Sequence, residues 1–207
     1  MTNPIRPPLF FSLSRGELLA LVLLFSGVFF RVIRVDFAPE VLPNFSPLMA
    51  AALCGALFLP GTAGIFITLI ALLLSDAVLN IHYGEQVASG QILWTLPCYL
   101  VAAGVGVALR RNKDGSSAVG LLPVMCCTLA VSLLFYLVTN TGSWLGNASY
   151  PQTFPGWIQA LGTGLPGYPP TWTFLRNSLC GDLLFASLFV SLERCLASRS
   201  RSVATVC

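Results

Sequence analysis

Residues 42–82 read LPNFSPLMAAALCGALFLPGTAGIFITLIALLLSDAVLNIH, and the fold is decided here. Two apolar runs, 46–60 and 62–81, meet at Pro60-Gly61, a pair that breaks a helix and turns the chain. The stretch therefore predicts a helical hairpin, with a lone carboxylate, Asp76, close to the end of its second arm. The first arm is crowded with small side chains. Ala51 and Gly55, and likewise Ala52 and Ala56, stand four residues apart, on one helix face where another backbone can approach closely in lipid. That face packs either within the molecule or against another membrane protein.

Composition extends the same conclusion to the whole chain. Of 207 residues 56% are hydrophobic and only 9% are charged, and the mean hydropathy is +0.80, which marks an integral membrane protein. Its apolar runs are continuous and approach the twenty-residue length of a helical crossing, whereas a β-barrel would alternate apolar and polar positions. The expected fold is all-α, a single polytopic bundle of six transmembrane helices at about 17–33, 46–60, 62–81, 92–109, 119–138 and 172–193. The first of these runs into Arg31, Arg34, Asp36 and Glu40 rather than a small-residue cleavage site, so it reads as a retained helix.

Orientation follows from the basic residues, which are in excess on cytoplasmic flanks. With the N-terminus inside, Arg6, Arg15, Arg110, Arg111, Lys113, Arg194, Arg199 and Arg201 fall inside, and Arg31, Arg34 and Arg176 outside. That split of eight to three places both termini in the cytoplasm, and it assigns the net charge of +3 to topology rather than to nucleic-acid binding.

On this topology the chemistry gathers outside. All four tryptophans lie at outer helix ends or in outer connectors, together with Asp76, His82, Asn140 and Arg176. The segment 139–171 has no charged residue but holds Trp144, Tyr150, Trp157 and Tyr168 among many Gly and Pro, and part of it, 156–161, suits a short interfacial or re-entrant helix. A loop of this length is usually a functional lid or a disordered linker, and the aromatics disfavour disorder. The aromatics form either a belt at headgroup level or the wall of a small-molecule pocket, and the lack of Trp on the inner face favours the pocket.

Asp182 stands ten residues after Trp172, roughly 15 Å down the last helix and near the bilayer midplane, where a charge needs an interior partner. Arg176 lies six residues away, about 240° around the helix, so a cation from helix 1, Arg31 or Arg34, is the expected partner. The seven cysteines show no CxxC or Cys/His spacing and there is one histidine, so neither a metal nor a cofactor is expected. No nucleophile motif accompanies Asp76 and His82, and an enzyme is not expected; one would require Asp76, His82 and Asp182 close together.

Four segments carry a resemblance: Arg34 with LPNFSPLMAAAL (42–53), the pair Ser75-Asp76, VTNTGSWLGNASYPQTFPGW (138–157) and LRNSLCGDLLF (175–185). Together they resemble a bacterial family of uncharacterised inner-membrane proteins. In size, six helices and internal termini that family is similar to the substrate-binding S components of energy-coupling-factor (ECF) vitamin transporters. The resemblance implies a protein of the bacterial inner membrane, embedded in lipid, that captures a small solute such as a vitamin. It also implies a transmembrane coupling subunit and ATPases as partners. S components dock through small residues on helix 1, whereas here those residues, Ala51, Ala52, Gly55 and Ala56, lie on helix 2. In this picture Trp144, Tyr150 and Trp157 cover the solute, and Arg34, Asn44, Asp76, His82, Asn140, Arg176 and Asp182 fix its polar groups. The alternative is a scaffold that recruits envelope proteins through the Ala/Gly face and needs no solute.

Overall fold

The computed structural model describes residues 15–37, 45–59, 61–87, 90–111 and 119–204; the side chains of residues 15, 34–37 and 196–204 lie outside that description. The described residues form helices and connecting turns, with no strand. The helices are α1 (Arg15–Phe37), α2 (Leu48–Phe58), α3 (Gly61–His82), α4 (Ile92–Arg111), α5 (Leu121–Gly146), α6 (Phe154–Leu161) and α7 (Thr171–Ala204). Five of them, all but α2 and α6, are long and apolar enough to cross a membrane. The chain is a multi-pass helical membrane protein.

The hairpin corrects one expectation. Its first arm is only 11 residues long, about 16 Å, which is half the thickness of the hydrocarbon layer. Every residue from Leu48 to Leu57 is buried, and α2 touches α1, α3, α4, α5 and α7. A helix that is apolar on all sides belongs in a core, and α2 is the core of this bundle. Of the two uses left open for Ala51, Ala52, Gly55 and Ala56, packing within the molecule is the one observed, because the chain's own helices cover all four. Gly61, in the predicted turn, has φ +62°, the left-handed conformation that glycine adopts without strain.

Glycines on the surrounding helices allow this central packing. A Cβ on Gly106 of α4 would run into the carbonyl of Leu53, and one on Gly181 of α7 would lie 3.1 Å from the backbone nitrogen of Ser46. On Gly27 of α1 it would come within 2.9 Å of the Pro47 ring. Within the hairpin, Gly55 makes room for the Thr68 side chain of α3.

Polar contacts define the two ends of the bundle. At one end Arg110 Nη1 donates to the Leu59 carbonyl at 2.6 Å and Arg194 Nη2 donates to that of Val119 at 2.9 Å. At the other, Arg31 of α1 meets Asp76 of α3, so these two helices run in the same direction with the 45–59 segment descending between them. Helix α5 continues past its expected end at 138, and its polar residues there bond back into the helix. Thr139 Oγ1 donates to Phe135, Asn140 Nδ2 to Tyr136 and Ser143 Oγ to Thr139. At 26 residues, about 39 Å, α5 is longer than the hydrocarbon layer is thick. Helix α6 forms where a short helix was expected, starting earlier because Thr153 Oγ1 accepts from the Gly156 amide at its N-terminus.

Candidate functional site

A charged residue within the bilayer is costly and needs a partner, and Asp76 has two. Arg31 Nη2 lies 2.6 Å from Asp76 Oδ1, and the Tyr99 hydroxyl of α4 donates to Asp76 Oδ2 at 3.0 Å. The second arm of the guanidinium, Nη1, donates to Ser75 Oγ, which in turn donates to the Leu72 carbonyl at 2.7 Å. Tyr99 is fully buried and its ring stacks on Phe135 of α5 at 6.1 Å. Three helices thus fix one ion pair from its buried side. Its open side, where Arg31 is 12% and Asp76 20% exposed, forms the wall of a cavity.

That cavity has a volume of about 150 Å³, and its polar lining consists of Arg31, Asp76, Asn80, Gln91 and Thr95. Leu73, Val87 and Ile92 complete the wall. The connector after α3 is tied across it. Glu85 N donates to the Asn80 carbonyl at 2.7 Å, Asn80 Nδ2 to that of Val87 at 3.2 Å, and Gln91 Nε2 to Ser143 Oγ of α5 at 3.3 Å. Gly84, at φ +73°, makes the turn.

Asp182 belongs to a different assembly, and its expected partner from helix 1 is corrected. Its Oδ1 accepts from the Ala50 amide at 2.9 Å and its Oδ2 from Ser132 Oγ at 2.6 Å. Ala50 lies in the first turn of α2, where amides have no partner inside the helix. The carboxylate of α7 therefore caps the positive end of the buried half-helix, and Arg31 pairs with Asp76 instead.

The aromatic residues expected over the solute sit elsewhere. Trp144 Nε1 donates to the Pro151 carbonyl at 2.8 Å, and the Trp144 carbonyl accepts from Gln152 Nε2 at 2.7 Å. Trp157 Nε1 donates to Thr141 Oγ1 at 3.0 Å, and the Tyr136 hydroxyl donates to the Leu161 carbonyl. Tyr150 is half-buried beside them, and loss of water pushes its phenol pKa up. Among the helices α6 touches only α5 and α7. The residues form a stitched cap over the α5–α7 side, whereas the cavity lies among α1, α3 and α4.

Of the remaining expected site residues, Asn140 bonds back to its own helix. Arg176 lies over the Trp172 ring at 5.4 Å and donates to Asn177 Oδ1. His82 is exposed at the end of α3 with its ring edge-on to Tyr83. The side chain of Arg34 and the whole of Asn44 lie outside the described residues. Of the expected set, Asp76 is thus in the cavity wall, Asp182 in a helix cap and Trp144, Tyr150 and Trp157 in an aromatic cap, while Asn140, Arg176 and His82 belong to none of the three. Asp76 and Asp182 sit in separate networks.

Sequence reasoning missed Thr95, Gln91, Asn80 and Tyr99; it left Arg31 and Arg34 open as the helix 1 cation for Asp76 and Asp182 and placed only Arg34, whose side chain lies outside the described residues, at the solute. The available signal was helical spacing at the outer helix ends: Asp76 and Asn80 are four apart, as are Gln91 and Thr95, and each pair shares a face.

A family model described as a family of unknown function, DUF6580, matches residues 12–203. The chain belongs to this family. No curated protein and no solved structure matches it. The family match covers the cavity, the Asp182 cap and the aromatic cap alike.

Proposed function

We propose that the protein captures a small polar solute in the cavity beside Arg31 and Asp76, at the outer face of the bacterial inner membrane. One observation carries the proposal: an ion pair fixed from behind by Ser75 and Tyr99 presents its open side to a cavity lined by Asn80, Gln91 and Thr95. A concave site with a few convergent polar groups is the form a small-molecule site takes. The outer placement rests on the basic residues, since Arg110 and Arg194 mark the opposite end.

Transport of the captured solute would be driven by other subunits, as the resemblance to ECF S components implies. A coupling subunit would have to meet an exposed helix face, because the small residues of α2 are enclosed. That enclosure also removes the main support for the scaffold reading.

Native mass spectrometry of the detergent-purified protein tests the proposal, with Thr95→Trp as the comparison, since the larger ring fills the cavity and leaves the ion pair intact. A small-molecule adduct on the wild type that is missing from the variant is the expected result. Adducts equal in both proteins, or found in neither, would remove it.

A further inference from the structure

We infer that the guest of this cavity is a compact zwitterion of about five to seven non-hydrogen atoms, the chemistry of a small α-amino acid. The inference rests on the solute-capture reading above and names its substrate class.

Size sets the first limit. A cavity of about 150 Å³ is the size that holds a single benzene in an engineered protein core, whereas drug-sized and cofactor-sized ligands occupy about 300–1,000 Å³. A guest held within this volume is smaller than a vitamin.

Charge sets the second. Arg31 and Asp76 line the same cavity and together are neutral. A net anion placed there meets the Asp76 carboxylate, and a net cation meets the Arg31 guanidinium. Both placements bring like charges together in a site whose pair is mostly buried. A molecule carrying an ammonium and a carboxylate answers both groups at once.

The hydrogen-bonding capacity needed is present. Arg31 uses Nη1 on Ser75 and Nη2 on Asp76, and a guanidinium has five N–H donors, so donors remain for a guest carboxylate. Each oxygen of Asp76 holds one partner, Arg31 or Tyr99, and each has a second lone pair for a guest ammonium. Binding need not break the pair that organises the site. Leu73, Val87 and Ile92 supply the apolar part of the lining, which a small apolar side chain would meet.

The test is thermal unfolding of the full chain in lipid nanodiscs, each probe added at millimolar concentration. Glycine, L-alanine and L-serine are compared with L-lactate and ethylamine, which each lack one charge of alanine, with neutral glycerol, and with L-tryptophan as an oversized zwitterion. L-Alanine or one of its two neighbours should raise the midpoint by at least about 2 °C. Lactate, ethylamine, glycerol and tryptophan should not, and the response should vanish in Asp76→Asn and in Thr95→Trp. The second variant keeps the ion pair, so the test survives if the first fails to fold. An equal shift with glycerol or lactate would overturn the zwitterion class and leave solute capture standing. So would the absence of any shift while the native adduct persists. No shift and no adduct would overturn both.

Discussion

The Oδ1 atom of Asp182 accepts a hydrogen bond from the backbone amide of Ala50 at 2.9 Å, so a carboxylate on the last helix caps the first turn of the buried second one. Polar residues inside a bilayer commonly mark function, but here both oxygens are engaged by the fold itself. Asp182→Ala would leave the Ala50 amide and the Ser132 hydroxyl buried without this acceptor. A loss of about 2–3 kcal/mol in unfolding free energy is expected from mixed-micelle denaturation. Asp182→Asn, which keeps an acceptor oxygen, should lose less, and solute binding should persist in it.

Packing around α2 is tested on one helix by two glycines. Gly106→Ala drives a methyl into the Leu53 carbonyl, whereas nothing lies within 4 Å of a Cβ on Gly104. The first should destabilise by about 1–3 kcal/mol as an overpacked core does. The second should be neutral or gain up to about 1 kcal/mol from helix propensity. Equal effects in a thermal scan would argue against the close approach of α4 to α2.

For the ion pair, Arg31→Gln and Asp76→Asn each strand one charge in a mostly buried site. Each should cost about 3–5 kcal/mol. The double variant should cost clearly less than the two added together, because it leaves no uncompensated charge. A strictly additive double-mutant cycle would mean that the pair does not form.

Trp144 holds the turn between α5 and α6 through Pro151 and Gln152 and is not part of the cavity wall. Trp144→Ala should accelerate protease cleavage within 147–153 several-fold and leave solute binding unchanged. Weakened binding with unchanged cleavage would return this residue to the solute site.

Much of the fold was legible because lipid demands long apolar runs, and those of α1, α3, α4 and α7 stand out at their observed places. Helix α2 was legible as a helix but not as a core. A run such as LMAAALCGALF is apolar on every side whether lipid or protein surrounds it, and only its modest length and small residues point inward. The end of α5 was hidden by Thr139, Asn140 and Ser143, whose polarity suggests a loop while their side chains bond back to helix carbonyls. The charged residues were identified, but their pairing was not. Arg31 and Arg34 are separated by less than one turn of α1, and only the packing of α3 against that helix shows Arg31 beside Asp76. Asp182 found backbone amides, which no pattern of charged side chains reveals.

One small polar solute is proposed to occupy the cavity beside Arg31 and Asp76. Such occupancy is tested most directly by equilibrium dialysis of the nanodisc protein against a bacterial small-molecule extract, with wild type and Thr95→Trp in parallel and bound compounds quantified by mass spectrometry. A single class of low-mass polar compound should be enriched by the wild type and not by the variant. Enrichment that is the same in both, or none in either, would contradict it.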